Sequence, residues 1–160
     1  MTADDSSRRS GSGVWTGTFR LLFRASPDRM TRTIRRVAGF GPVEEFIIVG
    51  RTSGKERHKF LSLLEVDGAW YVGHPNGRRS HWVRNLDAAG SATIVRRDGT
   101  RTRVNATLLP DGPERDAAVT ASGRQQPFPA GLIYRRAHGH ITQVGEYFRL
   151  DPEPDGGYRQ

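Results

Sequence analysis

Two Asp-Gly pairs constrain the fold more than any other feature of this chain of 160 residues. Asp67-Gly68 and Asp98-Gly99 each separate two short runs that are rich in apolar and β-branched residues. An Asp-Gly pair in such a place favours the two-residue turn of a β-hairpin, because the positive φ angles of that turn suit these residues. The sequence therefore predicts at least two hairpins within an antiparallel sheet.

The other short apolar runs extend this pattern to six predicted strands. They cover residues 45–49, 59–66, 70–73, 91–96, 102–109 and 141–150. A short helix is predicted around Trp82, another is predicted to start at Pro113, and 138–140 is predicted to be a turn. Six short strands with few helices between them are typical of a small antiparallel barrel. The predicted class is mainly β with flanking helices (α+β).

A different periodicity precedes the barrel. Apolar residues recur at helical spacing in Trp15, Phe19, Leu22 and Phe23, and Met30, Ile34 and Val37 continue the pattern. We predict a disordered tail over 1–13, a helical segment over 14–40, the barrel domain over 41–152 and a loose tail over 153–160. The helical segment has two interpretations: a lid packed on the core, or a basic amphipathic surface over 15–39 that contacts a membrane.

The net charge and the absence of cysteine limit the classes of partner that the protein can bind. Lysine and arginine number 25 against 17 acidic residues, for a formal net charge of +8. Such a surface attracts phosphates, nucleic acid, acidic lipid or an acidic cofactor. The chain has no cysteine, and its five histidines lack zinc spacing, so no metal site is predicted. No apolar run approaches the roughly 18 residues of a membrane span. We expect a cytoplasmic protein, with membrane association as the alternative.

Two basic loops are predicted to meet at one rim of the barrel. If the first three strands form a meander, the turn 51–57 and the loop 74–80 both open at the same end. Glycines in both loops allow backbone N–H groups to approach a ligand, and the second loop leads into a helix N-terminus. The cations offered there are Arg51, Lys55, Arg57, Arg78 and Arg79. A phosphate-bearing ligand is the expected occupant, and a merely solvated pair of charged turns is the alternative.

Three of these segments also resemble a known family, in order and in spacing. They are Val49-Gly-Arg-Thr-Ser-Gly-Lys-Glu-Arg57 followed by Leu61, Trp70-Tyr-Val-x-x-x-Asn76-Gly77, and Trp82-x-x-Asn85-Leu86. Over about residues 35–152 the chain resembles the deazaflavin-dependent nitroreductases of the split β-barrel, flavin-binding superfamily. The resemblance implies a split β-barrel of about six antiparallel strands. It also implies the deazaflavin coenzyme F-420, which is an anionic cofactor that carries phosphate.

The activity implied by the resemblance is that of an oxidoreductase, with nitroreductase or quinone reductase chemistry. The reduced coenzyme would deliver hydride to a quinone, a nitroaromatic or another small, hydrophobic, unsaturated acceptor. The rim and the resemblance together give these cofactor-binding candidates: Arg51, Ser53, Gly54, Lys55, Arg57, Phe60, Leu61, His74, Asn76, Gly77, Arg78, Arg79, Trp82 and Asn85. Tyr134 is the candidate for hydrogen bonding to the acceptor or for proton supply.

Other functions stay open from the sequence. A protein of the same fold could bind flavin mononucleotide or haem, or could hold a cofactor without catalysing a reaction. A basic nucleic-acid-binding module is an alternative of another class. That alternative is disfavoured because no strand interleaves aromatic residues with the arginines, as a base-stacking surface requires.

Overall fold

The computed structural model describes residues 13–24, 42–126 and 128–154. Its strands are β1 (Val43–Val49), β2 (Glu56–Ser62), β3 (Leu64–Val66), β4 (Ala69–His74), β5 (Ser91–Val95), β6 (Arg101–Leu108) and β7 (Glu146–Pro152). Its helices are α1 (Gly13–Arg24), α2 (His81–Ala89), α3 (Pro113–Gln125), α4 (Ala130–Arg136) and α5 (His138–Val144), and a 3-10 turn spans Gly77–Arg79.

The strands form one antiparallel sheet in the order β2-β1-β5-β6-β7-β4-β3. The sheet curls until β2 lies against β4, so that it encloses a core on its concave side. Helix α2 packs on one end of this barrel, and the other helices cover part of its outer face. The predicted α+β class and antiparallel barrel are confirmed.

Both predicted hairpins are present, and their turns differ. Asp67 and Gly68 adopt φ angles of 50° and 79°, so both residues take the left-handed conformation that a tight turn needs. In the second hairpin Gly99 has a φ of 86°, and the Asp98 carboxylate accepts a hydrogen bond from the backbone N–H of Thr100 at 2.8 Å. Aspartate therefore contributes backbone conformation in one turn and a side-chain acceptor in the other.

The sheet has seven strands where about six were predicted, because the expected strand 59–66 is divided into β2 and β3. β2 pairs with β1 as far as Ser62, where β1 begins at Val43. The N–H of Leu63 donates to the Pro42 carbonyl at 2.8 Å, and the next residues join β4 at the opposite edge of the sheet. The first three predicted strands therefore do not form a simple meander. β2 and β3 are the two edges of the curled sheet.

The predicted strand 141–150 is also wrong in its first half. Residues His138–Val144 form α5, so that the expected turn at 138–140 is the start of a helix, and β7 begins only at Glu146. The segment before it, for which no element was predicted, contains helix α4. Both helices are short and pack on the sheet through Tyr134, Ala137 and Ile141. Their stability comes from this packing more than from local propensity.

Two hydrophobic clusters lie on opposite faces of the sheet. Inside the barrel, Phe46, Val72 and Phe148 pack with Trp82 and Leu86 of α2. The alternation of side chains along a strand sends their neighbours outward. The outward residues Leu64, Tyr71 and Tyr147 form a second cluster with α1, α3, α4 and α5.

Helix α1 is the described part of the predicted helical segment. It buries Phe19 and Thr16, and the Phe19 ring meets the Tyr134 ring edge-on at 5.4 Å. The predicted continuation through Met30, Ile34 and Val37, most of the tail 1–13, and 155–160 lie outside the described residues. No helix in the described ranges is long and apolar enough to cross a membrane.

Candidate functional site

A cavity of about 680 Å³ opens where the β1–β2 turn meets the start of α2. Cavities of this size are typical of sites for small organic ligands. Its lining comes from β1, the turn, the first half of β2 and α2. The lining residues are Ile48, Gly50, Arg51, Thr52, Ser53, Glu56, Arg57, His58, Lys59, His81, Trp82 and Asn85. The sequence predicted an anion site where this turn meets the loop 74–80, whereas the cavity joins the turn to the helix that follows that loop.

The turn between β1 and β2 is folded tightly by its own backbone. The Gly50 N–H donates to the Lys55 carbonyl, and the Gly54 N–H donates to the Gly50 carbonyl, each at 2.8 Å. Gly54 adopts a φ of 65°, in the left-handed region that favours glycine. A Cβ atom on Gly50 would lie 2.9 Å from the Ser53 hydroxyl and 3.3 Å from the Lys55 carbonyl. The two glycines therefore allow the turn to close beside the cavity.

Asn85 ties this turn to helix α2. Its side-chain oxygen accepts a hydrogen bond from the Arg51 guanidinium at 2.7 Å and another from the Arg51 backbone N–H at 3.3 Å. One amide oxygen thereby fixes both the backbone and the side chain of Arg51 at the cavity wall. An amide is neutral, so it orients the guanidinium without cancelling its charge.

The second guanidinium at the site is held in a similar way. Arg57 donates to the Ser53 hydroxyl at 3.4 Å, and the same hydroxyl accepts the Lys55 N–H at 3.3 Å. In the part of the chain that the structure describes, both cavity arginines are thus held by neutral oxygens. Lys59 adds a further cation and Glu56 an opposing carboxylate, so the lining is cationic on balance.

The floor of the cavity is Trp82, which is almost fully buried. Its ring lies 6.0 Å from His74 at 67° and 6.4 Å from Phe148. Desolvation lowers the pKa of His74 to about 4, so the imidazole is neutral near pH 7. Its Nδ1 accepts the N–H of Asn76 at 3.1 Å. Trp82 therefore separates the cavity from the barrel core, and His74 packs edge-on against it.

The remaining predicted residues of the 74–79 loop face away from the cavity lining. Asn76 is buried under α1, where its side-chain N–H donates to the Thr16 carbonyl at 3.1 Å. Its Oδ1 lies 3.3 Å from His140 Nε2. Gly77 is buried beside it. Arg78 forms ion pairs with Asp87 at 2.9 Å and with Glu146 at 3.7 Å.

The charge of Arg79, the last residue of that loop, reaches His140 on α5. Desolvation first, and then the positive charge of Arg79, lowers the pKa of His140. The two arginines of the loop therefore lie next to residues that do not line the cavity, namely Asp87, Glu146 and His140. A role for Arg78 and Arg79 in cofactor binding stays a prediction.

Strand β2 and the turn carry the other predicted residues. Phe60 and Leu61 are half-buried, and Leu61 packs against the cluster inside the barrel. Gly54 and Lys55 are exposed on the same turn as the lining residue Ser53. The structure brings Arg51, Ser53 and Arg57 together with Trp82 and Asn85 at one cavity.

Tyr134, the predicted catalytic candidate, lies in the outer cluster rather than in this lining. It is 5% exposed, and its ring packs on Phe19 of α1. Burial, with a smaller contribution from Tyr147, raises its pKa well above the ordinary value. Its hydroxyl therefore keeps its proton.

The sequence prediction missed several residues of the cavity, among them His58 and His81. His58 Nδ1 lies 2.8 Å from the Glu45 carboxylate, and His81 Nδ1 lies 3.3 Å from the Arg84 guanidinium. The register of β1 with β2, which sets His58 opposite Ile47, was the signal that could have placed His58 near the turn. His81 could have been found from its place at the start of α2.

The comparisons with known proteins concern the fold. No family model and no curated protein matches the chain significantly. A solved F420-H2 dependent reductase (FDR-A) is similar in structure, with a TM-score of 0.54 at 21% identity over 69% of this chain and 94% of that one. A structure described as a domain-swapped dimer reaches 0.50 at 18% identity, over 86% and 96%. The haem storage protein HutZ from Vibrio cholerae reaches 0.48 at 15%, over 79% and 90%.

The similarity to the F420-H2 dependent reductase shows the fold. The chain has the split β-barrel fold, in which a curled antiparallel sheet is flanked by helices. At this level of identity the comparisons concern architecture, so function has to be argued from the cavity.

Proposed function

We propose that the protein is an oxidoreductase that binds reduced deazaflavin, coenzyme F-420, in the cavity between the β1–β2 turn and α2. The observation that carries this proposal is the pair of cavity guanidinium groups, Arg51 and Arg57, held by neutral oxygens. Such groups keep their full charge for a phosphate. The F420-H2 dependent reductase of similar fold and the resemblance of the turn and helix motifs support the same cofactor.

The residues present fit an anionic, ring-bearing ligand. The volume of about 680 Å³ admits a tricyclic ring, with the buried Trp82 as an apolar floor. The first residues of α2, His81 and Trp82, line the cavity. A helix N-terminus carries partial positive charge and backbone N–H groups without intrahelical partners. Phosphate would therefore bind between this helix end and the turn.

The work of the protein would be binding and orientation. Arg51 and Arg57 would hold the phosphate, and Asn85 would fix the distance between the turn and α2. Trp82 and Ile48 would exclude water from one side of the ring. When bound, the reduced coenzyme supplies the hydride that a quinone, nitroaromatic or other unsaturated acceptor receives. Tyr134, the predicted candidate for hydrogen bonding to the acceptor, is buried in the cluster on the other face of the sheet and takes no part in this proposal.

Fluorescence titration tests the cofactor directly. The full chain is titrated with oxidised and reduced coenzyme F-420, with flavin mononucleotide and with haem, and each complex is recorded by absorption. Saturable binding of the deazaflavin, tighter than that of flavin mononucleotide, is the expected result. A Soret band with haem at comparable affinity would instead favour the haem alternative, for which His58 and His81 are the imidazoles at the cavity.

Removing one cavity guanidinium should weaken deazaflavin binding. We expect Arg57→Gln to raise the dissociation constant about 3- to 10-fold, because an exposed charge-assisted contact contributes about 1 kcal/mol. The loss should shrink as salt rises. Arg101→Gln is the matched control, because Arg101 lies far from the cavity. It pairs with Val95 at the β5–β6 hairpin, and Val95 pairs with Glu45 near the start of β1, at the opposite end of the barrel from the β1–β2 turn. Equal effects of the two substitutions would contradict the proposed phosphate site.

Asn85 provides a sharper prediction about charge. Asn85→Asp keeps an oxygen acceptor for Arg51 but adds a negative charge beside the guanidinium. We expect it to weaken deazaflavin binding about tenfold while leaving thermal stability unchanged or higher. Asn85→Ala, which removes the acceptor, should weaken binding and also loosen the turn. Parent-like affinity of Asn85→Asp would show that the neutrality of this acceptor is irrelevant to binding.

A further inference from the structure

Large apolar side chains are exposed mainly on the helices that cover the outward cluster of the sheet. Five such residues occur in the described ranges, and four of them belong to α1 or to the region of α4. These four are Val14, Leu21, Phe128 and Leu132, which are 75%, 72%, 81% and 38% exposed. The fifth, Val49, lies at the end of β1. We call α1, α4 and α5, with Phe128, the helical layer.

The exposed residues of α1 form a defined face. Val14 and Leu21 are seven residues apart, which places them two helical turns from each other on one side. Phe19 and Thr16 lie on the other side and are buried against Tyr134 and Asn76. The helix therefore uses one apolar face for packing in the fold, and its second apolar face is exposed to solvent.

The charged side chains on the three helices of the layer have a single sign. The three helices of the layer contain no aspartate or glutamate, whereas Arg20, Arg135 and Arg136 are exposed on them. Helix α3, next to the layer, carries its acidic residues only in its first turn. Exposed aliphatic and aromatic side chains flanked by arginine are the pattern of a surface that enters the headgroup region of a bilayer.

We propose that the helical layer docks on an anionic membrane surface, with Val14, Leu21 and Phe128 entering the interface and the arginines contacting lipid phosphates. A second copy of the chain fits this surface less well, because a two-fold contact would bring like charges together. Nucleic acid would use the arginines but not the exposed aliphatic side chains. The proposal does not depend on the cofactor, since the layer and the cavity share no lining residue in the described ranges.

Vesicle co-sedimentation of the full chain tests this surface. The probes are phosphatidylcholine vesicles and vesicles of phosphatidylcholine with phosphatidylglycerol at about three to one. We expect binding to the anionic vesicles and little to phosphatidylcholine. The double variant Val14→Ser, Leu21→Ser should lower the partition coefficient between vesicles and water about tenfold, because each substitution removes apolar surface that would be buried in the bilayer. Val49→Ser, an exposed apolar residue outside the layer, is the matched control and should bind like the parent.

A charge-matched pair separates docking from general attraction of a basic protein. Arg20→Gln with Arg136→Gln should lower binding more than Arg97→Gln with Arg101→Gln, which removes the same charge at the β5–β6 hairpin. The proposal is overturned if the two pairs weaken binding equally, if the serine variant binds like the parent, or if phosphatidylcholine binds equally well. It is also overturned if sedimentation shows a dimer that the serine variant dissociates while vesicles bind no protein. Circular dichroism confirms that each variant is folded.

Discussion

Replacing Arg115 by methionine is expected to lower the free energy of unfolding by about 3 kcal/mol. This α3 side chain is only 2% exposed. Its guanidinium donates to the carbonyls of Thr142 at 2.9 Å, Ile141 at 3.3 Å and Gly145, which lie at the end of α5. The Ile141 carbonyl also accepts the Gly145 N–H, but the last carbonyls of a helix generally lack intrahelical partners, and the arginine supplies donors to those of Thr142 and Gly145.

Methionine is chosen because it is long, unbranched and apolar, so that the measured loss reflects hydrogen bonds more than an empty cavity. Urea unfolding of the parent and of Arg115→Met gives the difference. Arg101→Met on the exposed start of β6 should change stability by less than about 0.5 kcal/mol. Arg115→Lys keeps the charge but offers fewer directed donors, so its loss of stability should lie between those of Arg115→Met and Arg101→Met. A loss for Arg115→Met no larger than for Arg101→Met would show that the end of α5 does not depend on this contact.

The hairpins and the barrel were predictable because their signals are local. An Asp-Gly pair and the alternation on either side of it specify a turn and a register without reference to the rest of the chain. The strand break at Leu63 has no such local signal. It depends on where β1 begins, since the pairing of β1 with β2 ends at Val43 and Ser62.

Helices α4 and α5 were missed for a related reason. The segment before Tyr134 is rich in proline, and Gly139 lies inside α5, so local propensity argues against helices there. They form because Tyr134, Ala137 and Ile141 cover the outward face of the sheet at Tyr147. This tertiary packing involves residues of distant segments, and no pattern within 126–144 reports it.

The candidate site also has a part that local sequence signals predicted and a part that depends on distant residues. The β1–β2 turn and the α2 positions Trp82 and Asn85 were predicted by loop chemistry and by resemblance, and the structure joins them at one cavity. The orientation of the 74–79 loop was not predictable. Asn76 turns toward Thr16, and Arg78 toward Glu146, which are long-range partners on α1 and β7.

Gly77 is where this orientation is fixed, and Gly77→Ala is expected to cost about 3–5 kcal/mol of folding stability. Its φ of 54° strains any residue with a Cβ atom. A Cβ atom there would also lie 2.2 Å from the Val144 carbonyl and 2.9 Å from the Glu146 side chain. Because that carbonyl belongs to the last residue of α5, two residues before β7 begins, it cannot move aside without displacing one of these elements.

Gly90→Ala separates the two causes of this loss. Gly90 follows α2 with a φ of 66°, and a Cβ atom there would meet no atom within 4 Å. It should therefore cost only the strain of positive φ, about 1 kcal/mol. Urea unfolding measures both variants, and equal losses would show that the close approach to Val144 is not what requires glycine at 77. Gly77 also precedes α2, so the alanine variant should displace Trp82 and Asn85 and weaken deazaflavin binding under conditions where it remains folded. Gly90→Ala, at the far end of the same helix, should bind like the parent.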